Sequence, residues 1–373
     1  MKARMMMTVF FFCLVLSVSV AGAATLSTAS GTFADGQQIT ITGSGFGTAP
    51  TNASFITGEN GTAGSPFSET GWTYSSASAG GGAWSSPVYS SAKALNGSKS
   101  ILCSFPSGTY GCLFDIGYST PITKAYVSFW VYGDYKAFAT TSSNHFQWKM
   151  FRVNPTANVT DTPGTFYISQ WPISDGTCLQ AFHVNFIDTT YNISVPDNNI
   201  WRSCFPKNEW IRMELFLQES DQNTANGTEV VKYYSTTKNG WTTWSNYSKN
   251  IITRGTLDRW QYMHFGHYIG NDATGKNADT YWDNVYVQQG TFARVELCDS
   301  SSWSSCQKRQ VQKPVSWSAS SIVISANSGP FATGNTAYLY FIDDAGNASN
   351  ALTVKIGAAT STTKTPTTLK RRR

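Results

Sequence analysis

No segment of this 373-residue chain carries apolar residues at helical spacing over a long stretch. That removes helical bundles and alternating α/β folds from consideration. Charge is scarce as well: Asp, Glu, Lys and Arg make up 13% of the residues, fewer than the 14% that are Phe, Trp or Tyr. Of the 27 Lys and Arg, seven lie near the chain ends (Lys2, Arg4, Lys364, Lys370 and Arg371 to Arg373), leaving 20 against 22 Asp and Glu. Nucleic-acid binding rests on clustered basic charge, so a near-neutral body points away from nucleic acid as a partner. The sequence has no Gly-x-Ser-x-Gly, phosphate-loop or zinc-protease motif, and Gly43-Ser-Gly-Phe-Gly47 is followed by neither a Lys nor a helix pattern. With no Cys-x-x-Cys pair, no metal site is expected.

What is present at the start is a basic Met-Lys-Ala-Arg, an apolar run from Met5 to Val20 and the small residues Ala21 to Ala24. This pattern predicts a secretory signal peptide over residues 1–23 and a secreted, extracellular or cell-surface protein. The run is short for a membrane span, and no span is expected. Cys13 would leave with the peptide. Six cysteines then remain, an even number in an exported chain, which makes disulfides the default. The close spacings suggest Cys103–Cys112, Cys178–Cys204 and Cys298–Cys306, with connectivity left open. Residues 358–373, rich in Thr and ending in Arg, read as a disordered basic tail.

Period-two segments bounded by Gly, Asn, Asp and Pro recur between residues 125 and 288. They are 125–132, 144–151, 165–171, 179–187, 209–218, 229–235, 261–269 and 280–288. Eight or more strands over this length predict a two-sheet jelly-roll sandwich. Residues 56–100, rich in Gly, Ser and Ala, read as long loops with an edge strand or two. After residue 290 shorter strands follow, in the idiom of residues 25–48.

Alternation assigns the faces. Arg212, Glu214 and Gln218 lie opposite Ile211, Met213, Leu215 and Leu217. His145, Gln147 and Lys149 lie opposite Phe146, Trp148 and Met150. Tyr262, His264 and Tyr268 share a face, as do Tyr126, Ser128, Trp130 and Tyr132, while His183 and Asn185 oppose Phe182, Val184 and Phe186. If these strands belong to one curved sheet, their polar and aromatic faces line a single groove. Sugars offer hydroxyls to bidentate polar groups and C–H faces to aromatic rings, so the groove suits a glycan.

Two resemblances sharpen this. "ITITGSGFG" (39–47) is similar to the first strands of an IPT/TIG domain, an immunoglobulin-like module. "ARVELCD" (293–299), "PVSWSASSIVISANSG" (314–329) and "TAYLYFIDDAGNASNALTVKI" (336–356) resemble its remaining strands in order. The implied fold is all-β: a jelly roll, residues 55–290, inserted into a discontinuous IPT/TIG-like sandwich of residues 25–54 and 291–357. "FQWKMFR" and "EWIRMELFLQES" resemble the concanavalin-like jelly rolls that include polysaccharide lyases and laminin-G-like lectin modules. "YWDNVYV" resembles their closing strand, where an acidic residue, here Asp283, anchors a loop or a structural Ca2+; no other cofactor is implied.

The lyase resemblance implies β-elimination of an acidic polysaccharide, which needs a group to neutralise the uronate carboxylate, a base and an acid. The matching residue types are Arg212 and Gln147 for the carboxylate, His145, His183 or His264 as base, and Tyr268 or Tyr262 as acid. Lys149, Glu214, Gln218, Trp130, Tyr132 and Asn185 complete the expected substrate surface. The tight Arg-x-Glu-x-Arg, Gln-Ile-His and Tyr-Phe-Lys-x-Gly blocks of such lyases are absent, with "RMELF" keeping part of the first. A glycoside hydrolase would need two facing carboxyls, and Glu214 has no evident partner. The sequence leaves two readings open: a polysaccharide lyase, or a non-catalytic glycan-binding, adhesive or structural envelope protein.

Overall fold

The alternating segments fold as strands and pair antiparallel, with a single parallel pair among the described residues. The computed structural model describes residues 24–74, 83–106, 109–134, 147–157, 165–172, 179–187, 206, 208–238, 240–255, 258–270, 278–357 and 359–363. For Gln147, for the strands over 166–172 and 179–187, and for 267–270 it describes the backbone alone.

The chain opens with β1 (Thr25–Thr32), β2 (Gln38–Ser44) and β3 (Thr51–Ile56). Short strands follow: β4 (Thr73–Tyr74), β5 (Ala83–Ser85), β6 (Val88–Ser90), β7 (Ser100–Phe105), β8 (Thr109–Cys112) and β9 (Phe114–Gly117). The long ones are β10 (Lys124–Asp134), β11 (Gln147–Asn154), β12 (Thr165–Pro172), β13 (Leu179–Ile187) and β14 (Trp210–Gln218). Then come β15 (Gly227–Ser235), β16 (Gly240–Ile251), β17 (Tyr262–Gly270) and β18 (Ala278–Gln289). The chain closes with β19 (Arg294–Cys298), β20 (Arg309–Trp317), β21 (Ser321–Ser325), β22 (Thr336–Ile342), β23 (Leu352–Lys355) and β24 (Ala359–Thr363).

One sheet, ordered β23-β22-β19-β20-β21-β2-β1-β24, draws its strands from both chain ends. It wraps a core of Leu26, Ile39, Ile41, Val295, Leu297, Ile324, Leu339 and Phe341. The glycine-rich turn after β2 serves this core. Gly45 and Gly47 take φ of +77° and +61°, a region open to glycine at little cost. Phe46 between them is thereby driven fully inside, 5.1 Å from the Phe341 ring. Two boundaries differ from the sequence reading. Thr51–Ile56 pairs with β18 rather than joining the N-terminal piece, and Ala359–Thr363 forms a strand on β1 where a disordered tail is expected.

The middle of the chain forms two stacked sheets. The β10 sheet runs β16-β15-β14-β10-β18-β7-β6, with β3 also on β18. The β17 sheet runs β13-β12-β11-β17-β8-β5, with β9 also on β17 and β4 on β9. Val127, Phe129, Met213 and Leu215 from the first sheet and Trp148, Phe151, Met263 and Phe265 from the second share one buried core. Phe129 meets Phe265 edge-on at 5.7 Å and stacks on Phe151 at 6.3 Å. β16, polar along much of its length, lacks the apolar alternation that marks the other long strands.

Cys298 and Cys306 are bonded, with Cα atoms 5.7 Å apart. Cys103 and Cys112, expected as a pair, are instead free thiols buried between the two sheets. Burial holds the Cys103 thiol far above its ordinary pKa, which favours the protonated form. Cys178 and Cys204 lie outside the described residues.

The outer face of the β10 sheet is where the end-built sheet docks. Arg212 on β14 donates to Glu296 of β19 at 3.0 Å and lies 3.1 Å from Glu214. Arg294 lies 2.6 Å from Glu296. The Tyr126 hydroxyl donates to Glu214 at 2.9 Å, and the Arg212 Nε donates to Ser128 at 3.0 Å. Trp130 donates its indole N–H to Gln310 of β20 at 3.0 Å, and Phe216 meets Phe292 edge-on at 5.5 Å. All four charged groups are buried. Burial works to raise the Glu214 carboxyl, and the Arg212 and Arg294 charges overcome it and hold the carboxyl well below its ordinary range.

Breaking such a network strands buried charge. Arg212→Ala is expected to lower the unfolding free energy by about 3–5 kcal/mol. Lys124→Ala, which removes a 2.7 Å bridge to the exposed Asp344, should cost about 1 kcal/mol or less. Urea unfolding of the two variants measures the gap, and equal losses would contradict a buried network.

Candidate functional site

Docking of the end-built sheet divides the expected groove residues into two sets. Arg212, Glu214 and Trp130, read as groove-lining from alternation, lie instead beneath β19 and β20. Their outward parity is as expected, but the face they point to is covered by protein. Tyr132 and Gln218 are half-buried on the same sheet, Tyr132 with the Lys93 ammonium 4.9 Å from its ring centroid. None of these five shares a sheet with His183 or His264.

The remaining candidates fall on the β17 sheet, whose outer face is turned away from the β10 sheet and its cover. β11 decides which side chains reach that face. Trp148, Met150, Phe151 and Val153 are all buried in the core, so strict alternation breaks between Lys149 and Phe151, where the register shifts against both neighbours. The shift puts Arg152 on the face of Lys149. Strict period two would have placed it inward with Trp148 and Met150, and for that reason the sequence pattern does not reveal it. Its signal is a second cation, three residues after Lys149, in the otherwise apolar "WKMFRV" run.

Two rows cross the sheet at right angles to the strands. Arg152 is the register partner of His264 on one side and Tyr167 on the other. The row continues to Asn185 beyond Tyr167, and to Asp115 and then Thr73 beyond His264. Lys149 is likewise opposite Tyr268 and Ser169, with His183 beyond Ser169 and Gly111 then Trp84 beyond Tyr268. Residues opposite one another in an antiparallel ladder share a face. His264, Tyr268, Lys149, His183 and Asn185 therefore belong to one surface. Gln147, opposite Gly270, begins the same strand as Lys149. His145 lies outside the described residues.

His264 is fully buried, its Nδ1 3.7 Å from a carboxylate oxygen of Asp115. Asp115 also accepts a hydrogen bond from the Thr73 hydroxyl. Burial lowers the His264 pKa, the Asp115 carboxylate works against that, and Arg152 adds to it. The Tyr262 ring stacks almost parallel to the imidazole, 6.2 Å away. Lys149 and Tyr262 are half-buried, whereas Arg152 and Asn154 are buried. The imidazole is thus closed to solvent, whereas the Lys149 side chain is partly open to it.

No family model matches the chain, and no curated protein matches it in sequence. Solved structures similar to it include the alginate lyase Aly36B, at 14% identity over 65% of this chain and 98% of that one, with a TM-score of 0.44. A marine alginate lyase from Aplysia kurodai is 12% identical over 55% and 87% of the two chains, with a TM-score of 0.40. A glucuronan lyase from the fungus Trichoderma reesei is 12% identical over 65% and 96%, with a TM-score of 0.36. Likenesses of this degree carry no function across.

Metal ligands are sparse. Among the described residues, Cys298, Asp299 and Cys306 have donor atoms close together, and the disulfide removes both sulfurs as ligands. Asp283, at the register position of Trp130, is buried and accepts the backbone N–H groups of Leu95 and Asn284, both at short range (2.9 and 2.8 Å). It anchors the loop before β7. Among the described residues no helix is long and apolar enough to cross a membrane.

His264 makes the fold sensitive to acid. Its folded pKa lies below the ordinary 6.5, so as pH falls the unfolded chain takes up the proton first and stability drops. The His264 contribution is fully present above about pH 6.5 and is lost progressively below it. Melting temperatures at pH 8 and pH 5 should therefore differ more for the native chain than for His264→Gln. An equal difference would show that His264 titrates alike in both states.

Proposed function

We propose that this protein binds an acidic polysaccharide across the outer face of the β17 sheet and cleaves it by β-elimination. The observation that carries the reading is the pairing of Lys149 with Tyr268 in adjacent strands, on the face that also presents Arg152. Register partners lie about 5 Å apart, so one sugar ring can meet both. Lys149, partly exposed, supplies positive charge for the uronate carboxylate, and the buried Arg152 adds positive potential beneath it without touching the sugar. That neutralisation stabilises the carbanion formed when the C5 proton leaves. Tyr268 is the proton-transferring group: it takes the C5 proton and delivers it to the glycosidic oxygen as the C4–O4 bond breaks and the C4–C5 double bond forms.

His264 takes a supporting role in this scheme. It is buried beside Arg152 and Asp115, where it fixes the row rather than touching the sugar. His183 sits three strands from Tyr268 along the row, about 14 Å away at the usual strand spacing, too far to share a sugar with it. Arg212 drops out of the carboxylate role because the end-built sheet covers it.

The test is incubation with a panel of polyuronates, followed by ultraviolet absorbance of unsaturated products at about 230 nm. Tyr268→Phe and Lys149→Ala should each lower the rate at least about 100-fold while the near-ultraviolet circular dichroism of the fold is kept. Retardation in a polyuronate gel without product would reduce the reading to binding alone, and neither retardation nor product with any polymer would sink it.

A further inference from the structure

Trp84 ends the row that runs through Lys149 and Tyr268, and nothing so far uses it. It lies on β5, the edge strand of the β17 sheet, opposite Gly111, which is itself opposite Tyr268. Gly111 has no side chain, and a Cβ built there would fall inside the six-membered part of the Trp84 indole. The ring therefore lies over the glycine backbone. Because the missing Cβ would project to the face of its register partner, the ring rests on the Tyr268 side of the sheet. The next residue, Cys112, is buried in the core on the other side. Trp84 is half-buried, so part of the indole stays open to solvent.

The arrangement occurs twice. Gly117 on β9 is opposite Tyr262, and a Cβ at Gly117 would fall on the Tyr262 ring. Both rings thus lie along the same edge of β17, the strand that carries His264 and Tyr268, each over a glycine. Flat aromatic rings beside polar and cationic groups are how a surface meets the C–H face of a pyranose while hydrogen-bonding its hydroxyls. A ring over Gly111 sits about one strand spacing, some 5 Å, from the Tyr268 position.

We propose that Trp84 is a stacking platform for the sugar ring next to the one held at Lys149 and Tyr268, so that the polymer runs along the row and across the strands. This rests on the reading of the face as the polysaccharide site. The ligand it implies is a pyranose polymer with an apolar ring face, its carboxylates directed to Lys149.

An aromatic ring over an edge glycine can also serve only to cover the backbone, and the test separates the two roles. Trp84→Tyr keeps a flat π face, whereas Trp84→Leu keeps an apolar cover without one. With sodium alginate as the probe in affinity electrophoresis, Trp84→Leu should weaken retention about tenfold and Trp84→Tyr by no more than about twofold. Melting temperatures of the two variants should agree. Native retention in Trp84→Leu, or parallel losses of retention and melting temperature in both variants, would overturn the platform while leaving the Lys149–Tyr268 reading intact. A native protein that retards with no polyuronate would overturn both.

Discussion

Arg212, Glu214, Arg294 and Glu296 form a buried ion network that the rest of the molecule is arranged around. Charges taken out of water cost several kcal/mol each unless they are paired and hydrogen-bonded. Here two guanidiniums and two carboxylates meet across the contact between β14 and β19, with Tyr126 and Ser128 adding hydrogen bonds. The contact joins residues from the middle of the chain to residues near its end. Trp130 with Gln310, and Phe216 with Phe292, extend it by a polar and an apolar step. The end-built sheet is therefore seated in one orientation, as charge pairing requires and apolar contact alone would not.

Seating it there covers the outer face of the β10 sheet around Arg212 and Trp130. The β10 sheet is covered on one side by the shared core and on the other by the end-built sheet. The β17 sheet is packed against protein on its inner face, and its outer face carries Lys149, Arg152, His264 and Tyr262. On that face the register shift in β11 brings a second cation into line. Glycines at 111 and 117 let two aromatic rings lie along the same edge of β17. On that face Lys149, Tyr262 and Trp84 are partly exposed, while Arg152, His264 and Asn154 are buried.

Much of this was legible in the sequence, and the failures have physical causes. Period-two alternation marked β10 to β15, β17 and β18; in β10, β11, β14, β15, β17 and β18 one face lies in a core. It could not say which sheet a strand joins: Arg212 and Lys149 both point outward from their strands, and only three-dimensional pairing separates them. Arg152 was hidden because Met150 and Phe151 both turn inward and reset the parity. Trp84 was hidden in a stretch rich in Gly, Ser and Ala, where a short edge strand has too few residues to show a period. β16 was missed because an edge strand with Thr243, Asn246, Ser248 and Lys249 exposed needs little apolar alternation. The glycine-rich turn over 43–47 was legible as a turn, and its role in setting Phe46 into a core emerged only with the fold.

The central claim is that the outer face of the β17 sheet is the working surface and the outer face of the β10 sheet is not. Amide hydrogen exchange with and without a bound polyuronate tests it most directly. The account predicts slowed exchange in β8, β11, β12 and β17, with β10, β14, β19 and β20 unchanged. Slowing confined to β14 to β16 or to the end-built sheet would contradict it.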